Sequence, residues 1–321
     1  VNGSSATGAQ QTSDGLLHAN VVDIRRFSTH DGRGIRTTAF IKGCSLACAW
    51  CQNPETIRPR LGPVFFAKKC IDCGLCLPLS RNGEMTRGPD GMVAHLEVEG
   101  EWEELAAVCP TGAIALNGRS YTVDELVDVV MADRAFFGHG GGVTLSGGEP
   151  LLVPHFAAAV FARLRDRGIH TAVETALNVR TEFVLEAAPL VDQFFADLKI
   201  IGPEDHRRWT GHTNERILDN LRVLLTSPWR DRAIVRTPLI PGVTATDENI
   251  AGIAGFITDL YPDVHYELLN YNPLAIAKYE LVTGHSFLFT KQTNPKRYTA
   301  QQMEHFRRIA ADAGVRNLVE D

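Results

Sequence analysis

The sequence predicts an α/β protein built as a partial (β/α)6 barrel and interrupted near its start by a small cysteine-rich module. Three observations predict it. From about residue 119 onward, short runs rich in β-branched and aromatic residues alternate with amphipathic segments, the mark of βα units around a parallel sheet. Polar residues gather just after those runs, at the strand ends where such barrels carry function. The seven cysteines fall into two groups, and the second breaks the alternating pattern between residues 60 and 118.

Residues 1–17 are rich in Gly, Ser, Ala, Thr and Gln, with neither a basic start nor an apolar core. They are expected to form a flexible tail and not a secretion signal. Residues 22–24 or 37–41 supply the first barrel strand. Residues 143–145, 171–173, 194–198, 233–239 and 266–269 supply five more, about six in all. Thr122 with Glu125 makes a capping box ahead of Leu126, Val129 and Val130, and Thr299 with Gln302 makes another ahead of Met303 and Phe306. Phe156, Val160, Phe161 and Leu164 recur at helical spacing, so that segment lays one face on the sheet. The barrel is therefore expected over 18–59 and 119–321, with 60–118 inserted.

At 321 residues and 44% hydrophobic content the chain can fill such a core. Its longest apolar runs fall far short of a membrane span and its net charge is −6, so neither a membrane nor a nucleic acid is an expected partner. A cytoplasmic location is expected, where thiols stay reduced and available to metal.

Cys44, Cys48 and Cys51 are spaced C-x3-C-x2-C, with Trp50 before the last. Buried structural cysteines, a disulfide and a zinc knuckle are the plain alternatives. Zinc sites usually pair C-x2-C units and complete them with further His or Cys, and disulfides suit secreted chains. Three thiolates without a fourth ligand fit a [4Fe-4S] cluster that keeps one iron open to a substrate or cofactor. The second group, Cys70, Cys73 and Cys76, is spaced C-x2-C-x2-C, and the remaining cysteine is Cys109, followed by Pro110. This is half of a bacterial ferredoxin pattern, in which a cysteine before proline serves the opposite cluster. Ser80 stands where the first run would have its own fourth cysteine. Cys109 is thus expected to close a four-ligand auxiliary [4Fe-4S] site that transfers or tunes electrons or holds the module together; zinc is the alternative for this set too.

The C-x3-C-x2-C loop with its aromatic resembles the radical S-adenosylmethionine superfamily, in which the open iron is chelated by the amino and carboxylate groups of that cofactor. Further motifs narrow the resemblance: residues 30–37 (HDGRGIRT), Cys51-Gln52-Asn53-Pro54-Glu55, residues 140–150 (GGGVTLSGGEP), Asp197-Leu198-Lys199 and Pro241-Gly242-Val243. Over nearly everything after residue 20 the chain is similar to activating proteins of glycyl radical enzymes, relatives of pyruvate formate-lyase activating enzyme, which also carry a ferredoxin-like insert.

The resemblance implies reductive cleavage of S-adenosylmethionine to a 5'-deoxyadenosyl radical that abstracts hydrogen from a glycine of a partner enzyme. A flavodoxin- or ferredoxin-type reductant is the implied electron source. It places Trp50 and Asn53 beside the cofactor and Gly147, Gly148 and Glu149 at its ammonium. Asp197 and Lys199 are expected near the methionine carboxylate, Glu174 and Asp197 acting through a monovalent cation or a water, with Arg236 on the same carboxylate or the ribose and Asn272 on the adjoining rim. The chain departs from the family at Arg33, where proline is common, at Ala176-Leu177-Asn178, which lacks a glycine, and at Asn272, where a histidine is frequent. Those departures leave a second reading, direct radical catalysis on a small metabolite such as a free amino acid. All seven cysteines are consumed by the two sites, so none is spare to quench a product radical, which favours the activating role.

Overall fold

Among the described residues, the antiparallel strand β1 (Leu17–Ser28) flanks seven parallel strands that follow one another across a single sheet in chain order. In this structure, a computed structural model describing residues 10–11, 16–138, 140–281 and 286–320, these are β2 (Arg36–Ile41), β3 (Gly142–Gly147), β4 (His170–Thr175), β5 (Gln193–Asp197), β6 (Ala233–Pro238), β7 (His265–Leu269) and β8 (Asn317–Val319). Every neighbouring pair from β2 to β8 is parallel. Among the described residues β2 and β8 do not pair, so the sheet is an open, partial barrel.

Helices fill the connections: α1 (Val123–Met131), α2 (Pro154–Asp166), α3 (Thr181–Ala187), α4 (Pro203–Thr210), α5 (Glu215–Leu225), α6 (Asp247–Leu260) and α7 (Ala300–Asp312). Both capping boxes form: the Thr122 and Thr299 hydroxyls accept from the third helical N–H, and Glu125 and Gln302 reach back to the cap N–H. Helix α2 buries Phe156, Val160, Phe161 and Leu164 in the barrel core. Because helices cover the outside and side chains fill the inside, strands such as β2 are buried on both faces.

Residues 22–24 and 37–41 are both in strands, but only the second belongs to the parallel set. Residues 22–24 lie in β1, which pairs antiparallel with β2 and with the strand Arg119–Thr122. The expected count of six parallel strands becomes seven through β8, a three-residue strand held against β7. Within the expected tail, Gln10 and Gln11 pair with His18 and Leu17, while residues 1–9 and 12–15 lie outside the described residues. No helix among the described residues is long and apolar enough to cross a membrane.

The cysteine-rich segment leaves and rejoins the barrel through a narrow neck. Asn117 N donates to Gly62 O at 2.9 Å, and Gly62 N donates to Asn117 Oδ1 at 2.8 Å. Strand Pro63–Phe65 pairs with Ile114–Leu116, Met85–Gly88 pairs with Gly91–Ala94, and a short helix spans Trp102–Val108. Cys76, Met85, Trp102, Leu105 and Ile114 form a small core of their own, separate from that of the barrel.

Candidate active site

The C-terminal ends of the parallel strands surround a cavity of about 500 Å³, and Cys44, Cys48 and Cys51 all line it. Their loop follows β2 directly and is pinned from several sides. Gly43 N donates to Thr56 O at 2.7 Å and Cys44 N to Ile57 O at 3.0 Å, which brings the two ends of the loop together. Ala47 N donates to Thr210 O at 2.8 Å and Ala49 N to Trp209 O at 3.0 Å, fixing the middle against the end of α4. Trp50 lines the cavity and is 3% exposed, packed with Ile200, Ile240 and Tyr271, so the aromatic also anchors the loop.

The Gly147-Gly148 pair explains how the end of β3 meets this loop. Gly148 N donates to Ile41 O at 2.9 Å and Glu149 N to Gly43 O at 2.7 Å. A Cβ on Gly148 would lie 2.2 Å from Gly43 O, and one on Gly147, whose φ is +109°, would lie 2.6 Å from Ile41 N. Glycine is required here for backbone to pack on backbone, in addition to any approach by a ligand. Both glycines line the cavity.

Glu149, expected at the ammonium, is placed differently. It is fully buried, outside the cavity wall, and its oxygens accept from Thr175 Oγ1 at 2.8 Å, Leu151 N at 3.2 Å and Ala176 N at 2.9 Å. The carboxylate therefore braces the loops after β3 and β4. Burial pushes it up from 4.5 to about 7, with these three donors opposing the shift.

Across the strand ends runs a chain of opposite charges. Glu174 on β4 accepts from Ser146 Oγ through Oε2 and from Arg236 NH1 at 2.8 Å through Oε1. Arg236 on β6 also donates through Nε to Asp197 Oδ1 at 3.1 Å, and Lys199 Nζ donates to Asp197 Oδ2 at 2.7 Å. Burial alone would raise Asp197, but Lys199 and Arg236 outweigh it and hold the carboxyl below its usual range. Burial alone would lower Arg236 and Lys199, and the facing carboxylates reverse that, keeping both cationic. Glu174, Asp197, Lys199 and Arg236 all face the cavity, as do Asn53 and, from the loop after β7, Asn272, whose carbonyl accepts from Gln52 Nε2 at 3.3 Å.

The three thiols suit a metal cluster. All seven cysteines are free. Burial pushes the Cys51 thiol up to about 12 and raises Cys44 and Cys48 as well, so their thiolates need a compensating positive charge of the kind iron supplies. Leu46 N also donates to Cys44 Sγ at 3.4 Å. Among the described residues no three His, Cys, Asp or Glu side chains converge on a point where a single ion would sit.

Cys70, Cys73, Cys76 and Cys109 line one small second cavity in the inserted segment, and Ile114 N donates to Cys109 Sγ at 3.4 Å. Arg87, from the hairpin, pairs with Asp72 inside the cysteine run. Counting back from Cys109 by the ferredoxin spacing, Leu105, Trp102 and Glu99 stand where a second cluster would have its thiolates. Leu105 and Trp102 are instead buried with Met85 and Ile114, and Ser80 Oγ donates to Cys76 O at 2.9 Å. Apolar side chains have taken over that half of the module.

Sequence reasoning missed Arg25 and Lys278, which also line the cavity. Arg25 lies on the antiparallel strand β1, its guanidinium 4.7 Å over the Phe40 ring, and Lys278 lies in the 3-10 segment Pro273–Leu281. Neither sits in a motif, so no local signal marks them.

A family model described as the radical SAM superfamily matches residues 38–254. The chain is 35% identical over 320 residues to the indoleacetate decarboxylase activating enzyme of Tractidigestivibacter scatoligenes, across 96% of this chain and 99% of the relative. It is 40% identical over 268 residues to the isethionate sulfite-lyase activating enzyme of Desulfovibrio desulfuricans, across 82% of this chain and 86% of the relative. Among solved structures, a radical SAM methyltransferase from Sphaerobacter thermophilus aligns with a TM-score of 0.51 at 16% identity, covering 97% of this chain and 74% of the other, a likeness of fold alone.

Proposed function

The chain belongs to the radical SAM superfamily and, within it, to the activating enzymes of glycyl radical enzymes, and from that premise we propose how its residues carry out the activation. Cys44, Cys48 and Cys51 would hold a [4Fe-4S] cluster, and with three thiolates the chain offers it no fourth ligand, which leaves room for S-adenosylmethionine. When bound, the cluster and S-adenosylmethionine supply an electron and a cleavable sulfonium, which yield methionine and a 5'-deoxyadenosyl radical.

The chain's part is to bind, orient and exclude water. Lys199 and Arg236 present cationic donors to the methionine carboxylate, and Asp197 and Glu174 keep those donors aimed. Gly147 and Gly148 offer bare backbone to the ammonium, with Asn53 and Asn272 as neutral polar groups on the remaining rim. Trp50, Ile240, Leu269 and Ala275 contribute apolar wall, which keeps water from the reacting carbon. All four carboxylate oxygens of Glu174 and Asp197 already accept from Ser146, Arg236 or Lys199, so a monovalent cation there would share them.

The hydrogen donor is a glycine of a partner glycyl radical enzyme of the decarboxylase or lyase kind. Both relatives above are activating enzymes, which favours a protein glycine over a free metabolite. With all seven cysteines in the two sites, no spare thiol returns hydrogen to the product radical, which suits a radical left standing on the partner. Cys70, Cys73, Cys76 and Cys109 hold an auxiliary [4Fe-4S] cluster, and a flavodoxin- or ferredoxin-type protein supplies the electron.

The observation that carries this reading is that three free thiols and the Glu174–Arg236–Asp197–Lys199 chain line one cavity at the strand ends. Anaerobic, chemically reduced protein given S-adenosylmethionine should form 5'-deoxyadenosine, and Cys48→Ala should abolish it. Undiminished cleavage in that variant would overturn the assignment.

A further inference from the structure

The loop after Cys51 is gripped from two parts of the chain, one of them distant in sequence. Lys278 Nζ donates to Asn53 Oδ1 at 2.7 Å and to Glu55 Oε1 at 2.8 Å, and Tyr279 OH donates to the carbonyl of Cys51 itself at 3.0 Å. These contacts span more than 220 residues and come from the 3-10 segment Pro273–Leu281. From just before the cysteine loop, Lys42 Nζ donates to Glu55 O at 2.6 Å; Lys42 is 3% exposed and stands two residues before Cys44. Glu55 thus ties the start of the cysteine loop to its end, and Lys278 ties that knot to the segment Pro273–Leu281.

We propose that Lys278 and Tyr279 are positioning residues that lock the Cys51–Glu55 turn and so set the place of the third cluster thiolate, an inference that rests on the assignment of Cys44, Cys48 and Cys51 to the cluster. A cluster with three protein ligands has one anchor fewer than a four-cysteine cluster, so the turn carrying its last ligand has more influence on where the open iron points. Glu55 shows why Lys278 matters. Its Oε2 is buried with no hydrogen-bond partner among the described residues, while Oε1 is held by Lys278. Removing that ammonium takes away the hydrogen-bond donor to a largely buried carboxylate beside the cluster loop, which loosens the turn. Tyr279 acts one bond closer, on the Cys51 carbonyl. Because Lys278 also lines the cavity, the lock sits where an incoming ligand would feel it.

The test uses the full chain, reconstituted anaerobically, as wild type, Lys278→Met, Lys278→Arg and Tyr279→Phe. Three quantities are read: iron release to a chelator, the electron paramagnetic resonance spectrum of the reduced protein with and without S-adenosylmethionine, and KM and kcat for 5'-deoxyadenosine formation. Lys278→Met should release the iron of the three-thiolate site about tenfold faster, the cost typical of a lost partner behind a metal ligand. It should also change the spectrum and raise KM for S-adenosylmethionine more than it lowers kcat, and Lys278→Arg should restore most of each. Tyr279→Phe, which deletes one hydroxyl and keeps the ring, should move the same readouts the same way and decides the matter if Lys278→Met does not fold. Wild-type iron release, spectra and KM in Tyr279→Phe and Lys278→Met would overturn the lock. A wild type that forms no 5'-deoxyadenosine would overturn the functional reading instead, so the two failures are distinct.

Discussion

Arg236 reaches Asp197 through Nε at 3.1 Å while its NH1 holds Glu174 at 2.8 Å, so one guanidinium spans the ends of three neighbouring strands. It also lies 4.9 Å over the Phe195 ring, which fixes its plane. Arg236→Met should destabilise the protein by about 3 kcal/mol, because two carboxylates lose a largely buried partner. Arg236→Lys should rescue little, since an ammonium cannot serve both carboxylates as a planar fork does. Thermal unfolding together with S-adenosylmethionine binding by dialysis checks this; binding and stability unchanged in Arg236→Met would count against the charge chain.

Gly148→Ala should disturb the cysteine loop without touching a cysteine. The new methyl group would meet Gly43 O at 2.2 Å, and backbone cannot yield as a flexible side chain does. The expected result is a loss of roughly 1–3 kcal/mol, the usual range for overpacking, with lowered iron content at the three-thiolate site. Full iron loading in that variant would show that the contact between β3 and the loop is dispensable.

Glu149 should leave a mark on stability against pH. Its folded value, raised from 4.5 to about 7, means the folded state holds this proton more tightly than the unfolded chain does. Its contribution is therefore fully present below about pH 4.5 and is lost as pH rises through about 7. Between about pH 5.5 and pH 8 the wild type should lose about 2 kcal/mol that Glu149→Gln does not lose. Unfolding curves of the two proteins across that window provide the check, and a constant offset between them would refute the brace as described.

Iron counting separates the two cysteine sets. Anaerobic reconstitution should load about eight irons per chain, two four-iron clusters, and Cys109→Ala should lower this toward about four. A wild type that binds about four irons, unchanged by Cys109→Ala, would remove the auxiliary cluster from the account.

What was legible in the sequence was local. Cysteine spacing needs only a short loop, capping boxes need four residues, and short runs of β-branched, aromatic and aliphatic residues mark strands, so β3 to β7 could be read directly. Strand direction was not legible: residues 22–24 and 37–41 look alike, and only pairing partners make one antiparallel and the other parallel. Strand β8 is three residues long and depends on its neighbour β7, so it has little signature of its own. The resemblance put Glu149 with Gly147 and Gly148 at the ammonium, yet the partners of its carboxylate, Thr175 and Ala176, are more than 25 residues away and claim both its oxygens. Lys278 lay beyond reach for the same reason, since nothing near it in the chain indicates Asn53 or Glu55.

The most direct measurement follows the hydrogen itself. Reduced protein and S-adenosylmethionine would be mixed with a glycyl radical decarboxylase or lyase from the same organism, labelled with deuterium at its glycine α-carbons. The account predicts deuterium in the 5'-deoxyadenosine and a glycine-centred radical signal on the partner. 5'-Deoxyadenosine formed without deuterium, its hydrogen coming instead from a free metabolite, would contradict it.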